Sequence, residues 1–492
     1  MIETHWVDRL TAPIAPQWTL RRQRARLSAQ LLARHYEGAE IGRRTQGWRR
    51  SLGDANAVLG PSLARLRDIA RDLVRNNPYA ESALSAIVDD VVGWGIQASA
   101  KHKAWKAWTE STQIDADGVQ DLVGLEKLVI RTVVESGEVL IRRRRRRAED
   151  GLAIPLQIQV LEPDFLDTLK DQTLPNGGRI LQGVEFDAIG KRVAYHLYKE
   201  HPGASVSRSS LVGSSRVPAE DILHVFKVSR AGQVRGPSAF ASTLLRFKDF
   251  DEFEDATLMK QKIAACLAIV TSDPNGDAIP IGESTADDPT TDSLNPGMVL
   301  NLPPGRSVDV VQPPTVREYA DYTKTALRSI AAGLGVTYEA MTGDFSDLPF
   351  SAARMSRLRH LARVEDWRWR VIVPQFLNPL WAWAMDAAEL AGQPTVQTTE
   401  WTAPPLPMID PDKEGLAIAR NIRSGITTLS EEIRARGYNV QQFLDELQHD
   451  FEDLTTRKLM LDCDPRVMTQ AGQYQDTSGT AKPTPAPAAP TT

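Results

Sequence analysis

Apolar positions divide the chain into helical and extended stretches. From Leu63 to Val91 they fall three and four residues apart: Leu63, Leu66, Ala70 and Leu73 share one face, then Ala83, Ile87 and Val91 share another. Asn77-Pro78 between them predicts a fresh helix start. Asn caps well, and Pro at the first helical position loses only an amide that has no partner. Gly93 is the predicted stop of that helix, and Gly60-Pro61 a break ahead of the first one.

From Glu138 to His224 the period changes to two. Val139, Leu140 and Ile141 lead into an unbroken run of arginines, Glu149-Asp150-Gly151 predicts a turn, and Ile154, Leu156, Ile158 and Val160 alternate as a strand. Short strands also fit residues 183–186, 192–198 and 221–228, so this part reads as a mixed α+β unit. Beyond Gly236-Pro237 a helix is predicted over 238–267, about 45 Å long at 1.5 Å per residue. Phe240, Leu244, Phe247 and Leu258 share one of its faces, while Leu245 and Ile263 mark a second stripe nearly opposite. A helix that is apolar on two sides must be covered on two sides.

Residues 273–314 are rich in Pro, Gly, Asp and Thr, with strand-like 298–302 and 307–311. Thr315-x-x-Glu318 then predicts a capped helix start, followed at helical spacing by Val316, Tyr319, Thr323, Leu327, Ile330 and Leu334, with Gly333 and Gly335 at its end. Residues 343–350 read as an exposed loop holding Asp344, Phe345, Asp347 and Phe350, two acids and no base. A third helix runs from Ser351 toward Pro374, and Thr428-x-x-Glu431 opens a small helix closed by Gly437. The tail from about Gln470 is of low complexity. The fold class expected is helix-rich α+β.

At 492 residues the chain is too long for one ordinary core. Its longest purely apolar run, Ile263 to Val270, is far short of the ~20 residues of a membrane helix. No leader-like opening is seen, so no secretion is expected. Two cysteines, Cys266 and Cys463, exclude a disulfide framework or a thiolate zinc cluster and suit synthesis in a reducing cytoplasm. The net charge of −5 argues against general DNA coating, yet nine arginines crowd Arg21 to Arg50.

The search for catalytic chemistry returns little. Gly190-Lys191 lacks the glycine spacing of a phosphate loop, Gly93-Trp94-Gly95 lacks its third glycine, and neither HExxH nor GxSxG occurs. His196 and His201 are five apart with no third ligand in view, and Asp89-Asp90 reads as a solvated pair. No catalytic, cofactor-binding or metal-binding residue is assigned, and no cofactor is expected. Two basic features stay open. Arg142, Arg143, Arg144, Arg145, Arg146 and Arg147 lie at a strand end, to pair with acids such as Glu149, Asp150 and Glu162 or to meet nucleic-acid phosphates. Arg359, Arg363 and Arg370 share a helix face with Asp366 among them, for subunit contacts or for DNA.

The order of blocks resembles the portal proteins of lambda-like tailed phages. The resemblance is carried by RRTQGWRR (43–50), ARDLVRNNPYAESAL (70–84), VVGWGI (91–96), ESGEVLIRRR (135–144), LQIQVLEPDFLD (156–167), GVEFDAIGKRVAYHLY (183–198) and VPAEDILHVFKVSRAGQVRG (217–236). It continues in DFDEFEDATLMKQKIAA (249–265), LRSIAAGLGVTYEAMTGDFS (327–346) and DPDKEGLAIARNIRSGITTLSEEIRARGYN (410–439). Where that family carries an Asn-Tyr-Ser-Ser-Ala-Arg pattern, this chain has Leu348-Pro349-Phe350-Ser351-Ala352-Ala353-Arg354.

The resemblance implies a dodecameric ring at one capsid vertex, in the virion, and no enzyme. Double-stranded DNA would pass through its channel without sequence preference. Partners would be other copies of the chain, the terminase large subunit, major capsid and scaffold proteins, and head-completion or neck proteins, with no membrane. It divides the chain into a basic arm (1–60), an α+β wing (61–236), a first stem helix (237–267), a clip (268–314), a second stem helix (315–335) and a tunnel loop (336–350). A tunnel helix with return to the wing (351–400), a helical crown (401–469) and the tail (470–492) complete it. DNA-channel candidates are Asp344, Phe345, Asp347, Phe350, Arg359, Arg363 and Arg370. The alternatives are a nuclease-type packaging enzyme, which would need acids clustered for metal, or another capsid or tail structural protein.

Overall fold

The structure is a computed structural model that describes residues 53–459 except 205–212, 266–267, 273–306, 312–318, 347–348, 406–407 and 409. The chain separates into two compact units, Met1–Asp54 and Ala55–Thr492, and only the second is described below. Its elements begin with α1 (Ala55–Asn76), α2 (Pro78–Val92), β1 (Gln97–Ala98), α3 (Lys103–Thr109) and α4 (Leu122–Ser136). Then come β2 (Glu138–Arg145), β3 (Leu156–Leu161), β4 (Gln172–Thr173), β5 (Arg179–Leu181), β6 (Val184–Phe186), β7 (Arg192–Leu197), β8 (Ser215–Pro218) and β9 (Ile222–Phe226). The second half holds α5 (Leu244–Ala265), β10 (Ala268–Ser272), β11 (Ser307–Val311), α6 (Tyr319–Leu334), α7 (Tyr338–Thr342), α8 (Phe350–Trp367) and α9 (Asn378–Leu390). β12 (Trp401–Thr402), α10 (Pro411–Arg423), α11 (Leu429–Ala435) and α12 (Val440–Thr456) follow.

β2 is the hinge between two cores. Side chains alternate along a strand, and a strand covered on both faces reads as a continuous apolar run, as Val139-Leu140-Ile141 does. Val139 and Ile141 enter the main core with α2, α4, α9 and the start of α5. Leu140 points the other way, into a smaller core with Val184, Phe186, Tyr195 and Val217. β2 lies between β3 and β9 in a three-stranded antiparallel sheet, and β4 to β8 form a separate five-stranded meander. Aromatic side chains tie α3 to α9: the Trp105 ring lies 4.7 Å from Trp381 and 6.2 Å from Trp401. Three indole N–H groups of this cluster are satisfied: Trp108 donates to Leu156 O and Trp381 to Val396 O at 2.9 Å, and Trp401 to Asn378 Oδ1 at 2.7 Å.

Where β2 starts, the chain makes its closest approach to itself. A Cβ on Gly137 would stand 2.3 Å from Gly236 O, and one on Gly236 would stand 2.2 Å from Gly137 O. Glu138, fully buried, fixes that contact. It accepts from Arg235 Nε at 2.8 and 2.9 Å, from the Gly236 amide at 3.0 Å and from His224 Nε2 at 2.9 Å, and Arg235 Nη2 closes a further short bond. Arg192 Nη1 lies 3.3 Å from His224 Nδ1, so the ring is a neutral Nε2–H tautomer. Burial alone would raise the Glu138 carboxyl, but Arg235 and His224 outweigh it and hold it well below the carboxylate range. Burial pushes His224 down to about 4, against the pull of Glu138.

Several local expectations hold. Asn77 accepts from the amides of Tyr79 and Ala80, Gly93 ends α2 at φ 52°, and Thr428 caps α11 through the Glu431 amide at 3.1 Å. Four are corrected. Gly60-Pro61 does not break a helix, because α1 already begins at Ala55; Pro61 gives up one amide on an exposed face, and Gly60 sits where the Gln182 side chain packs. The helix expected over 238–267 is a 3-10 turn (Ala239–Ser242) followed by α5, and 268–272 is a strand, β10, paired in register with β11. Gly333 lies inside α6, where a Cβ would meet Thr243 Cγ2 at 2.4 Å. Pro374 stops nothing: between α8 and α9 the chain runs on through a π-helical stretch, Arg368–Leu377, whose wider turn moves the carbonyl that the proline ring would strike. The Thr315 capping box, the strand at 298–302, the arm before residue 53 and the tail lie outside the described residues.

Glu126 is buried in α4 with Oε2 accepting the Ile96 amide at 3.0 Å, and burial raises its pKa to about 8. It folds protonated, so its contribution to stability is present at low pH and is lost as pH rises from the unfolded value toward 8. His224 works in the opposite sense, since its folded pKa is depressed and stability is lost as pH falls from about 6.5 toward 4. Glu126→Gln is therefore expected to gain stability relative to the parent progressively from pH ~5 to ~8, read by denaturant titration at several pH values. Arg235→Met strands a buried carboxylate and should cost about 3–5 kcal/mol in the same assay.

Candidate functional site

The loop singled out by sequence sits between α7 and α8. α6 ends at Gly335 (φ 83°), Thr337 caps α7 through the Ala340 amide at 3.1 Å, and Gly343 (φ 70°) ends it. Asp344 then folds the loop onto itself. Its Oδ2 accepts from the Tyr338 hydroxyl at 3.0 Å, and its Oδ1 accepts from the Ser346 amide at 3.1 Å and hydroxyl at 2.6 Å. The two Ser346 bonds, with Tyr338, pull the Asp344 pKa down to about 2, so this charge persists across the physiological range. Phe345 is 66% exposed and points away from the body. Asp347, and the Phe350 side chain at the start of α8, lie outside the described residues.

The arginine strand finds partners other than those expected. Arg143 is almost buried: its guanidinium lies 5.6 Å from the Trp383 ring centroid, donates to Trp383 O at 3.3 Å and faces Asp386 at 3.7 Å. Arg145 pairs with Asp221 at 2.9 Å and Glu220 at 3.9 Å. On the other face Arg144 and Arg146 bond Gln159 and Gln157 of β3, and Arg142 is half-buried opposite Ile222. Only Arg147 turns to a predicted neighbour, donating its backbone amide to Asp150 at 3.0 Å. Glu162 belongs elsewhere, beside Arg71 at 3.3 Å. The acids that matter come from the 3-10 turn Ala219–Asp221 just before β9 and from α9, distant in sequence.

On α8 the three arginines divide. Arg359 is exposed; Arg363 covers Gly335, where a Cβ would lie 2.9 Å from its Nη1; Arg370, in the π stretch, meets Asp366 at 3.3 Å. Asp366 also holds Lys227 at 3.0 Å. Asp90 is no solvated acid: it accepts from His360 Nε2 at 2.8 Å and so joins α2 to α8. His196 is buried against Glu185 at 3.1 Å. His201 comes within 3.0 Å of Glu162 and 3.9 Å of Asp164, the one metal-like grouping among the described residues. Arg67 and Arg71 already neutralise Asp164, each at 2.8 Å, so a cation there would compete with two fixed guanidiniums.

The lambda-family phage portal protein model matches residues 41–368. The probable portal protein of Halomonas phage phiHAP-1 is 25% identical over 459 residues, covering 85% of this chain and 86% of its own length. Portal protein B of Escherichia phage lambda is 23% identical over 368 residues, covering 65% and 68%. Among solved structures, a chain in the neck of a native gene transfer agent particle, computed with C12 symmetry, aligns at TM-score 0.46 and 16% identity over 80% of this chain and 97% of its own.

Asp344→Ala should release the turn while Asp344→Asn, which keeps an acceptor for the Ser346 amide, should largely retain it. Hydrogen exchange at the Ser346 amide is the measurement, with roughly tenfold faster exchange expected for the alanine variant alone.

Proposed function

The chain belongs to the lambda family of phage portal proteins, and from that membership we propose that it works as a closed ring of identical subunits, twelve in number, at one capsid vertex. In this reading DNA enters through the ring during packaging and leaves through it at ejection. The observation that carries the assembly is apolar exposure on two sides of α5. Leu245, Leu258 and Met259 are 75%, 49% and 58% exposed, more apolar surface than one chain leaves to water on a helix it needs only for itself.

The division into parts follows the element order. Residues 61–236 supply the wing, α5 and α6 the stem, and the strand-tied insertion between them the clip, where the terminase large subunit docks first and head-completion proteins later. The pairing of β10 with β11 supports a projecting platform, since it draws both ends of the insertion to one point. Loop 343–349 would face the DNA, presenting the ionised Asp344 and the exposed Phe345. Sliding DNA is best served by a surface that does not bind phosphate, because each phosphate contact adds affinity and salt dependence.

A second reading, a metal-dependent nuclease of the packaging machine, has only the Glu162, Asp164 and His201 grouping in its favour, and the two arginines on Asp164 oppose it. Purified protein is expected to sediment as a ring of very high mass and to show no nuclease activity with magnesium or manganese. A stable monomer at micromolar concentration at every salt tested would overturn the ring. Asp344→Lys with Asp347→Lys should assemble normally yet slow packaging, more so at low salt where screening is weak. Packaging at the parent rate across ionic strength would show the loop charge to be irrelevant.

A further inference from the structure

We propose that the outer face of α5 in one subunit packs against the outer face of α8 in a neighbouring copy of the chain, acids against arginines around two apolar stripes. The proposal rests on the ring reading above and names its contact. On α5 the exposed Leu245, Ala256 and Met259 fall on one side at helical spacing, among the exposed acids Asp249, Glu252 and Asp255, Glu252 being paired with Lys248 one turn back at 3.5 Å. On α8 no described residue from Ala352 to Arg363 is buried. Met355 and Leu358, 68% and 54% exposed, line up there with exposed Ala362, and Arg354 and Arg359 flank them. Arg354 also feels Asp410, the cap of α10, whereas Arg359 has no ion-pair partner among the described residues.

In one chain both faces stay exposed, so neither covers the other. Asn77, the cap of α2, donates to Asp251 of α5 at 2.8 Å, and Asp90 in the last turn of α2 holds His360 of α8 at 2.8 Å. Thirteen residues of helix separate the two attachment points, about 20 Å at 1.5 Å per residue. Two unlike, complementary patches on one chain make a head-to-tail contact, the kind that repeats from copy to copy and closes as a ring. DNA fits the pair less well: the α5 acids repel phosphate, and phosphates offer nothing to Met355 and Leu358. Complementary charge around the stripes fixes which faces meet and suppresses like-with-like contacts.

The test is complementation between two charge-reversed full-length chains, Asp249→Lys with Glu252→Lys on α5, and Arg354→Glu with Arg359→Glu on α8. Each alone should melt as the parent does yet need at least about tenfold more protein for half-assembly, measured by sedimentation. Mixed one to one they should assemble again, because in an alternating ring every contact regains opposite charge. Failure of the mixture to assemble, or unimpaired assembly of either variant alone, overturns the pairing. An α8 reversal that leaves assembly intact but abolishes retention on a non-specific DNA duplex would assign that face to nucleic acid instead. A parent chain that stays monomeric fails the ring reading itself, a different result from either of these.

Discussion

Glu138 opens the central strand with a charge at a position that carries almost no water, and the geometry of the whole α+β body follows from how that charge is met. Arg235 and the Gly236 amide arrive from a segment 97 and 98 residues away, His224 from the neighbouring strand β9. A buried ion pair adds little net stability over an apolar pair of the same shape, but losing one partner is severe. Its effect is to allow one arrangement: only with Gly137 against Gly236 do all the bonds close at once. That arrangement sets where the chain leaves the sheet, and hence the start of the 3-10 turn and of α5.

This cluster was not legible in the sequence. Glu138 precedes an apolar run and Arg235 stands in the Gly-rich Gly232–Gly236 segment, so each alone looks like a surface residue. Helix caps were legible because their chemistry is local: Asn77-Pro78, Gly93 and Thr428 name their own partners within a few residues. The prolines misled for the opposite reason. What a proline does to a helix depends on the carbonyl one turn back and on the packing around it, and at Pro374 a π-helical stretch, which no residue type announces, removes the conflict. The arginine run shows the same limit, since alternation gave the two faces of β2 but Asp221 and Asp386 are brought in by the fold. Of the loop expected over 343–350, Gly343, Phe345, Ser346 and Pro349 are exposed and Phe350 already opens α8, while the role of Asp344 as the clasp of its own turn needed coordinates.

Charge in this portal protein is used mostly to position structure. Arg143, Arg145, Arg67, Arg71 and Arg368 are spent within the chain, Arg368 bonding the Asp90 and Val91 carbonyls at the end of α2 at 2.8 Å. Arginine suits this work because its planar fork meets several fixed acceptors at once. Exposed charges remain on α5, where Arg246, Lys248 and Lys262 stand among Asp249, Glu252 and Asp255, and on α8, where they are Arg354 and Arg359.

The helical run from Phe350 to Leu390 has one further consequence. Its last turns are buried in the main core, its described positions from Ala352 to Arg363 carry no buried side chain, and the π-helical stretch follows where burial begins. In mechanical terms it is a cantilever clamped at its C-terminal end. A sideways load on the tip produces its greatest bending moment at the clamp, where the π-helical stretch lies. Deflection at the tip is therefore delivered as rotation at the root, against Trp381 and Trp383, and the core that surrounds those rings supplies the restoring force.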